Sequence, residues 1–224
     1  MQKLFTSRFG GVSQAPLDSL NLGFHVNDNP LHVEQNRALL KKQLGVSSLV
    51  FMNQVHGNEV VVITKGNEAP TCDALICGLS DIGLAVMVAD CIPVLFHDAV
   101  KNVIGVAHAG RCGTALHVGQ KTIVKMKEVF GSQVEDIKIF MGPSIQKCCY
   151  EVGLEATIGL EKYLHVQHER YFLDLQSANR EDFLSLGILE QNIEISPICT
   201  CCDKNYFSYR RDKITGRFCG VITL

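Results

Sequence analysis

A segment near the middle of the chain constrains its fold more than any other. Two short apolar runs, residues 84–88 and 102–107, have the length and the β-branched content of buried strands. Asp90 and Cys91 follow the first run, and His108 follows the second. Because functional side chains of α/β proteins converge where strands end, we expect these residues to meet at one edge of a sheet.

A second histidine stands in a similar position upstream. His56 follows a short apolar run at residues 49–52. Together with Cys91 and His108 it makes a His₂Cys set, and three protein ligands with an open fourth position are typical of a catalytic zinc site. An ion held in this way acidifies a bound water or polarises a substrate atom, so these residues permit zinc-assisted catalysis.

The same residues also permit other chemistry. A blue-copper centre uses His₂Cys as well, whereas a multicopper cluster is disfavoured because the chain has eight histidines and none is spaced as His-x-His. Cys91 is alternatively a nucleophile activated by a neighbouring imidazole, as in a cysteine-dependent hydrolase of peptide-like amides. A binding protein without catalytic activity is the remaining alternative.

Predicted strands and helices do not alternate strictly, which favours an α+β fold with mixed sheets over a Rossmann arrangement. Apolar residues at helical spacing predict helices over residues 31–43 and 114–130. In the second helix, Thr114 is expected to be the N-cap and His117 an ordinary helical residue. No linker, repeat or low-complexity segment interrupts the chain, so residues 1–224 are expected to form a single domain.

The composition excludes several classes of function. A formal net charge of −2 gives no basic surface for nucleic acid or an anionic membrane. The chain has neither a long apolar tract nor an apolar signal core at its start, so a cytoplasmic protein is expected. The ten cysteines are then expected to be reduced. Cys199, Cys201 and Cys202 are interpreted as partly buried, small apolar residues, with a metal site as the alternative.

Several arginines are candidates for binding a phosphate or a carboxylate, because the planar guanidinium group matches two anionic oxygens. They are Arg8, Arg37, Arg210, Arg211 and Arg217. No Walker loop or Gly-x-Gly-x-x-Gly sequence is present to hold a nucleotide phosphate.

A set of short motifs extends over essentially the whole chain. They are SRFGGVS (7–13), LNLG (20–23), NR (36–37), QVHG (54–57), CDAL (72–75), ADCIPV (89–94), HAG (108–110), GPSI (142–145), CCYEV (148–152), FSYRR (207–211) and GR (216–217). As an ordered set they resemble the motifs of the YfiH-type proteins. These proteins are described as laccase-like or polyphenol oxidases and are regarded as zinc purine nucleoside phosphorylases, and some carry the name peptidoglycan editing factor.

The resemblance implies a fold, a metal and a reaction. It implies a layered α-β-α sandwich with mixed sheets, in which His56, Cys91 and His108 bind catalytic Zn²⁺. It implies phosphorolysis of adenosine, inosine, guanosine and S-methyl-5'-thioadenosine to the free base and ribose 1-phosphate, with adenosine deaminase activity in addition. The partners are then purine nucleosides and phosphate, and the chain is expected as a monomer or a homodimer. A copper-dependent polyphenol oxidase and a cysteine-dependent, amidase-type peptidoglycan editing factor are the alternatives.

Phosphorolysis needs a bound phosphate and a transition state that resembles an oxocarbenium ion. We expect Arg8 or Arg37 to bind the phosphate, and Asn21 and Gln54 to make polar contacts with the substrate. Asp73, at the head of an apolar run, is a candidate acid or base, or a carboxylate that supports a metal ligand.

The chain departs from the family pattern directly after His108. The family usually has His-Ala-Gly-Trp-Arg-Gly, whereas this chain has Arg111 and Cys112 in place of the tryptophan and the arginine. The aromatic residue is lost and the guanidinium group moves by one position. Substrate stacking and phosphate contact near this loop are therefore expected to differ from the family pattern.

Overall fold

The computed structural model describes residues 1–224 and contains thirteen strands and five α-helices. The strands are β1 (Gln2–Phe5), β2 (Ser48–Phe51), β3 (Val60–Val62), β4 (Ala74–Cys77), β5 (Ile82–Val88), β6 (Ile92–Asp98), β7 (Val103–Ala109), β8 (Ile137–Met141), β9 (Glu151–Val152), β10 (Leu164–Gln167), β11 (Arg170–Leu173), β12 (Ile193–Ile195) and β13 (Phe218–Thr223). The helices are α1 (Pro30–Leu44), α2 (Arg111–Ala115), α3 (Val118–Phe130), α4 (Leu175–Ser185) and α5 (Tyr209–Asp212). Short 3₁₀ turns cover Phe24–Val26, Val134–Asp136, Leu154–Thr157, Glu161–Tyr163 and Glu190–Asn192. None of the helices combines the length and the apolar character that crossing a membrane requires.

Two mixed β-sheets pack face to face at the centre of the molecule. One has the strand order β1-β13-β5-β2 and the other β12-β8-β6-β7-β4-β3, while β10-β11-β9 form a small third sheet. Buried residues such as Leu84, Leu95 and Phe218 fill the space between the two large sheets. Helix α1 covers the four-stranded sheet through Leu40 and Leu44, and α3 and α4 cover the six-stranded sheet. The predicted α+β class with mixed sheets is confirmed, with two stacked sheets between the helical layers.

Helix α1 begins and ends where its local sequence indicates. The side chain of Asn29 accepts the N–H of Leu31 at 3.0 Å, and Pro30 occupies the first helical position, where its missing N–H costs nothing. The helix ends at Gly45, whose φ of 67° is left-handed and therefore favours glycine. The helix predicted over residues 31–43 is confirmed.

The central strand β6 was not predicted from the sequence, and Pro93 stands near its start. Proline cannot donate to a strand ladder and usually indicates an edge or an end. Pairing of β6 with β8 begins only at Val94, opposite Met141, so the missing N–H of Pro93 falls outside the ladder with β8, although Pro93 lies opposite His108 in the pairing with β7. β6 therefore runs through the middle of the six-stranded sheet directly after Cys91.

The single helix predicted over residues 114–130 is wrong, because the chain breaks it into α2 and α3. His117 between them is left-handed, with φ of 57°, and its Nδ1 pairs with Asp182 on α4 at 2.8 Å. Thr114 lies inside α2 rather than at an N-cap, and its buried hydroxyl accepts Asn179 Nδ2 at 2.9 Å. The apolar periodicity of the sequence continues across the break and so does not reveal it. The contacts that hold the break in place are tertiary contacts to α4.

Candidate metal site and adjoining cavity

The pairing register of three neighbouring strands brings predicted site residues together. β4 pairs with one edge of β7, and Asp73, the residue before β4, accepts the backbone N–H of His108 at 2.8 Å. β6 pairs with the other edge of β7, with Pro93 opposite His108. Cys91 immediately precedes β6, so it reaches the same end of the sheet from the opposite side.

Asp73 is fully buried and connects the loop of His56 to this sheet edge. Its carboxylate accepts backbone N–H groups of Val55, His56 and Gly57 at 3.2, 3.0 and 2.6 Å. Its Oδ1 also accepts the Nδ1–H of His108 at 2.8 Å. Burial by itself raises the pKa of Asp73, but the hydrogen bonds from His108 and Gly57 outweigh burial and hold the pKa below its ordinary value.

The three candidate ligands converge on one point. The donor atoms of His56, Cys91 and His108 all lie within 4.8 Å of one another. Because the Nδ1–H of His108 donates to Asp73, the Nε2 atom is left to act as a ligand, an arrangement that recurs in zinc sites. Two imidazoles and one thiolate with an open fourth side fit a catalytic zinc ion.

Electrostatics favour the ligand form of the cysteine. Burial by itself raises the pKa of the Cys91 thiol, but the charge and hydrogen bonding of His108, with a further contribution from His56, lower it to about 6. Burial lowers the pKa of His108, but Cys91 and Asp73 together raise it to about 9. Since the thiolate is the form that binds metals, the cluster favours the ligand form of Cys91 at neutral pH, whereas His108 must release its Nε2 proton when an ion binds.

The backbone next to Cys91 is held in an unusual conformation. Asp90 has a φ of 95°, a region that residues other than glycine rarely adopt. Its carboxylate accepts the hydroxyl of Thr200 at 2.7 Å and the backbone N–H of Arg210 at 2.6 Å. Its carbonyl oxygen accepts the N–H of Ile145 at 2.8 Å. The position of Cys91 therefore depends on segments from the second half of the chain.

A cavity of about 580 Å³ adjoins the ligand cluster. This volume lies in the range of small-molecule sites, about 300–1,000 Å³. The residues that line it are His25, Met52, Asn53, Gln54, His56, Met87, Val88, Ala89, Cys91, His108, Tyr209 and Arg217. The lining includes all three candidate ligands and one arginine, which is the cavity's one permanently charged cation, and no carboxylate.

His25, Tyr209 and Arg217 also line the cavity. The sequence named Arg217 among five candidate anion-binding arginines, whereas it gave no role to His25 or Tyr209. Arg217 donates through Nη1 to the carbonyl oxygens of residues 215 and 216, both at 3.0 Å, and its Nε and Nη2 have no protein acceptor. Burial lowers the pKa of His25, and the charge of Arg217 lowers it further, which favours the neutral imidazole. The signal that points to His25 is its place two residues after the LNLG motif.

Two of the residues predicted to bind substrate lie at or beside the cavity. Gln54 lines it, but its amide pairs with the backbone of Met87 through bonds of 2.8 and 2.9 Å. Asn21 is fully buried and does not line the cavity; its side-chain oxygen accepts the N–H of Arg217 at 2.9 Å. Asn21 therefore fixes the backbone of a residue that lines the cavity.

The other two predicted residues, Arg8 and Arg37, do not line the cavity. Arg8 donates to the backbone and the carboxylate of Asp18 at 2.9 and 3.2 Å. Arg37 donates to the carbonyl oxygen of Leu22 at 2.9 Å and lies 3.7 Å above the ring of Phe51. Their role in phosphate binding stays a prediction, and the structure gives each guanidinium group partners within the protein.

The departure from the family motif falls outside the cavity lining. Arg111 and Cys112 are the first residues of α2, and neither lines the cavity. Nη1 of Arg111 lies 3.5 Å from the carbonyl oxygen of Ala156. The expected change in substrate stacking near this loop stays a prediction.

Gly110→Ala is expected to disturb the ligand cluster. A Cβ at Gly110 would lie 2.7 Å from Cys91 Sγ, a distance that forces the sulfur to move. We expect the affinity for Zn²⁺ to fall by roughly 10–100-fold, measured by competition with a chromophoric chelator. Gly153→Ala is the matched control, because its new methyl group meets only the flexible carboxylate of Glu155. Equal affinities in the two variants would contradict the placement of Cys91 Sγ.

Comparison with known proteins assigns the chain to a family. Residues 2–224 match the family model described as multi-copper polyphenol oxidoreductase laccase. A purine nucleoside phosphorylase of Corynebacterium glutamicum is 40% identical in sequence, and the match covers 100% of this chain and 94% of that protein. Purine nucleoside phosphorylase YlmD of Bacillus subtilis is 33% identical, and the match covers 97% of this chain and 86% of that protein. The crystal structure of the hypothetical protein YfiH of Bacillus licheniformis has a TM-score of 0.93 and 33% identity, covering 99% of this chain and 92% of that one. The chain therefore belongs to the multi-copper polyphenol oxidoreductase laccase family, together with YfiH and YlmD.

Proposed function

We propose that this protein is a zinc-dependent purine nucleoside phosphorylase. Its substrates are adenosine, inosine, guanosine and S-methyl-5'-thioadenosine, and hydrolytic deamination of adenosine is a second activity. The observation that carries the proposal is one cavity that contains the His56, Cys91 and His108 cluster together with Arg217. Full-length relatives named purine nucleoside phosphorylase support it.

Arg217 is the cavity residue best suited to bind phosphate. Its Nε and Nη2 are free of protein acceptors, and a guanidinium group binds two phosphate oxygens through parallel hydrogen bonds. Arg217 is held in place by the hydrogen bond from its backbone N–H to Asn21 and by the packing of its own side chain against Gly23. Neutral His25 stands beside it and has a ring N–H to donate to the same anion.

The ligand cluster fits zinc better than a multicopper centre. Metal-capable clusters occur at two places in the chain, and neither contains more than two histidines. When bound, Zn²⁺ supplies a Lewis acid at the cavity wall. Asp73 is proposed as a positioning residue, because all of its contacts are internal and it keeps His108 in the tautomer that leaves Nε2 free.

The remaining walls suit a nucleoside. Met52, Met87 and Val88 give an apolar surface on which a purine ring can lie. The purine leaves more easily when a proton reaches one of its nitrogens, and a general acid or base contributes about 10²–10⁴-fold to such a step. Apart from the candidate ligands, His25 and Tyr209 are the lining residues with a proton to transfer. We therefore propose Tyr209 as the proton donor, because neutral His25 is assigned to the phosphate.

The proposal is tested with purified protein, inosine and phosphate. The expected products are hypoxanthine and ribose 1-phosphate, formed only when phosphate is present and lost when a chelator removes the metal. Adenosine without phosphate is expected to yield inosine and ammonia. A zinc-loaded protein that releases no base from any purine nucleoside would contradict the proposal. In that case oxygen uptake with a phenol would favour a copper oxidase, and cleavage of a cell-wall peptide amide would favour a cysteine-dependent amidase.

Arg217→Met is expected to raise the KM for phosphate by roughly 10–100-fold, since a hydrogen bond to a charged group contributes about 1.5–3 kcal/mol. The KM for the nucleoside and the zinc content are expected to change little. Arg180→Met, which removes a guanidinium group paired with Glu190 outside the cavity, is the control. An unchanged phosphate KM in Arg217→Met would exclude Arg217 as the phosphate ligand.

A further inference from the structure

Four cysteines from two separate segments meet outside the cavity. The Sγ atoms of Cys148, Cys149, Cys199 and Cys202 all lie within 4.8 Å of one another. The Sγ–Sγ distance is 3.8 Å from Cys148 to Cys149, 3.9 Å from Cys148 to Cys202 and 3.3 Å from Cys149 to Cys202. Four sulfurs at about 2.3 Å from a tetrahedral zinc ion are separated by about 3.8 Å. The cluster therefore has the dimensions of a closed tetrathiolate site.

The backbone holds the two cysteine segments against each other. Ser144 forms a parallel β-bridge with Cys199. The N–H of Ser144 donates to the carbonyl oxygen of Ile198 at 3.3 Å, and the N–H of Thr200 donates to the carbonyl oxygen of Ser144 at 3.0 Å. Cys202 N–H donates to the carbonyl oxygen of Cys199 at 3.1 Å and closes a tight turn. Cys199 and Cys202 thus have the Cys-x-x-Cys spacing of a metal turn, a signal that their interpretation as small apolar residues missed.

Nearby charges suit an anionic metal centre. Four thiolates around a divalent ion carry a net charge of −2, which needs cations close by. Arg210 donates to the carbonyl oxygen of Cys149 at 3.1 Å. Arg211 donates to the carbonyl oxygens of Thr200 and Cys201 at 2.7 and 3.3 Å. Both guanidinium groups are therefore fixed against the backbone of the cysteine segments, and Arg211 is also paired with Asp212.

We propose that Cys148, Cys149, Cys199 and Cys202 bind a second Zn²⁺ ion in a closed, structural site. Four protein ligands leave no open position for a substrate, so the ion's role is to hold segments together. The joined segments carry Thr200 and Ile145, which hold Asp90 in its left-handed conformation next to Cys91. The second ion therefore stabilises the turn that presents an active-site ligand, and the inference is independent of the proposed reaction.

The test counts zinc in the whole protein, purified under reducing conditions and dialysed against metal-free buffer. Wild type is expected to hold two Zn²⁺ per chain by elemental analysis, and Cys149→Ser and Cys202→Ser one each. Cys201→Ser is the matched control, because Cys201 lies between two proposed ligands and outside the cluster, and it is expected to retain both ions. Loss of the second ion is expected to lower Tm by roughly 5–10 °C.

A second measurement uses only the wild-type protein and does not depend on whether a variant folds. Wild type with Co²⁺ in place of Zn²⁺ is expected to show the thiolate charge-transfer and visible absorption of a tetrahedral four-sulfur site, in addition to that of the His₂Cys site. A wild-type chain that holds one ion, with no four-sulfur cobalt spectrum, would overturn the proposal. Disulfides among these cysteines in freshly reduced and re-equilibrated protein, or iron in place of zinc, would also overturn it.

Discussion

Cys91→Ala is expected to remove the active-site Zn²⁺ and with it nearly all phosphorolysis. The side chain is the only sulfur in the three-ligand cluster, and two imidazoles alone leave a site with too few donors. We expect kcat/KM with inosine to fall by at least about 10³-fold, a loss of roughly 4 kcal/mol of transition-state stabilisation. The measurements are steady-state kinetics together with zinc content by elemental analysis.

The control for Cys91→Ala is Cys112→Ala, which removes a half-buried thiol from α2 that belongs to neither cysteine cluster. It is expected to keep both the zinc and the activity. In Cys91→Ala the other zinc, at the four-cysteine cluster, is expected to remain, so that metal content falls from two ions to one. Full activity in Cys91→Ala would contradict any role of the thiolate as metal ligand or as nucleophile.

Asp73→Asn is expected to weaken both metal binding and folding. The aspartate accepts three backbone N–H groups and the Nδ1–H of His108, whereas an asparagine must turn its NH₂ group towards donors. Loss of a carboxylate behind a metal-bound histidine lowers metal affinity by about 10–100-fold. The unmade hydrogen bonds are expected to lower the free energy of unfolding by roughly 2–4 kcal/mol. Zinc competition titration and urea unfolding measure the two effects.

Asp98→Ala separates these two effects, because it removes the carboxylate oxygen that accepts two backbone N–H groups. Asp98 is also fully buried and accepts backbone N–H groups, those of Val100 and Lys101 at 2.8 and 2.9 Å, but it lies at the opposite end of β6 from Cys91. It is expected to destabilise the fold and to leave the zinc affinity unchanged. If both substitutions lowered zinc affinity equally, the effect of Asp73 would be one of general stability rather than of ligand orientation.

The sequence predicted the convergence of the ligands for a physical reason. Cys91 and His108 follow or close apolar runs that are typical of buried strands, and side chains at strand ends are expected to converge. The route differs from the expected one, because the two strands β5 and β7 belong to different sheets and it is the unpredicted strand β6 that pairs with β7 and leaves both residues at one end of a sheet. The layered α+β class followed from the same runs and from the helical periodicity of α1. Strand β6 was not predicted, and its start is marked by Pro93, a residue that usually indicates a strand edge or end. The helix break at His117 was not predicted because the contact that accompanies it is made by Asp182, on another helix.

The cavity walls could not be predicted in the same way. Arg217 reaches the site because its backbone is held by Asn21, a residue almost two hundred positions away in the sequence, and no local pattern records that contact. Arg8 and Arg37 carry the same chemical group in equally recognisable motifs, yet the structure pairs them with other parts of the protein. Residue type indicates which side chains can bind phosphate, and only the tertiary fold decides which of them faces the cavity.

The zinc site of His56, Cys91 and His108 is tested most directly by a crystal structure of the purified protein, with anomalous scattering measured on both sides of the zinc absorption edge. We predict a zinc peak at about 2.0–2.3 Å from one nitrogen of His56, from Cys91 Sγ and from His108 Nε2, with its fourth side open to the cavity. A fully active protein whose density shows these three side chains without an ion between them would contradict the account.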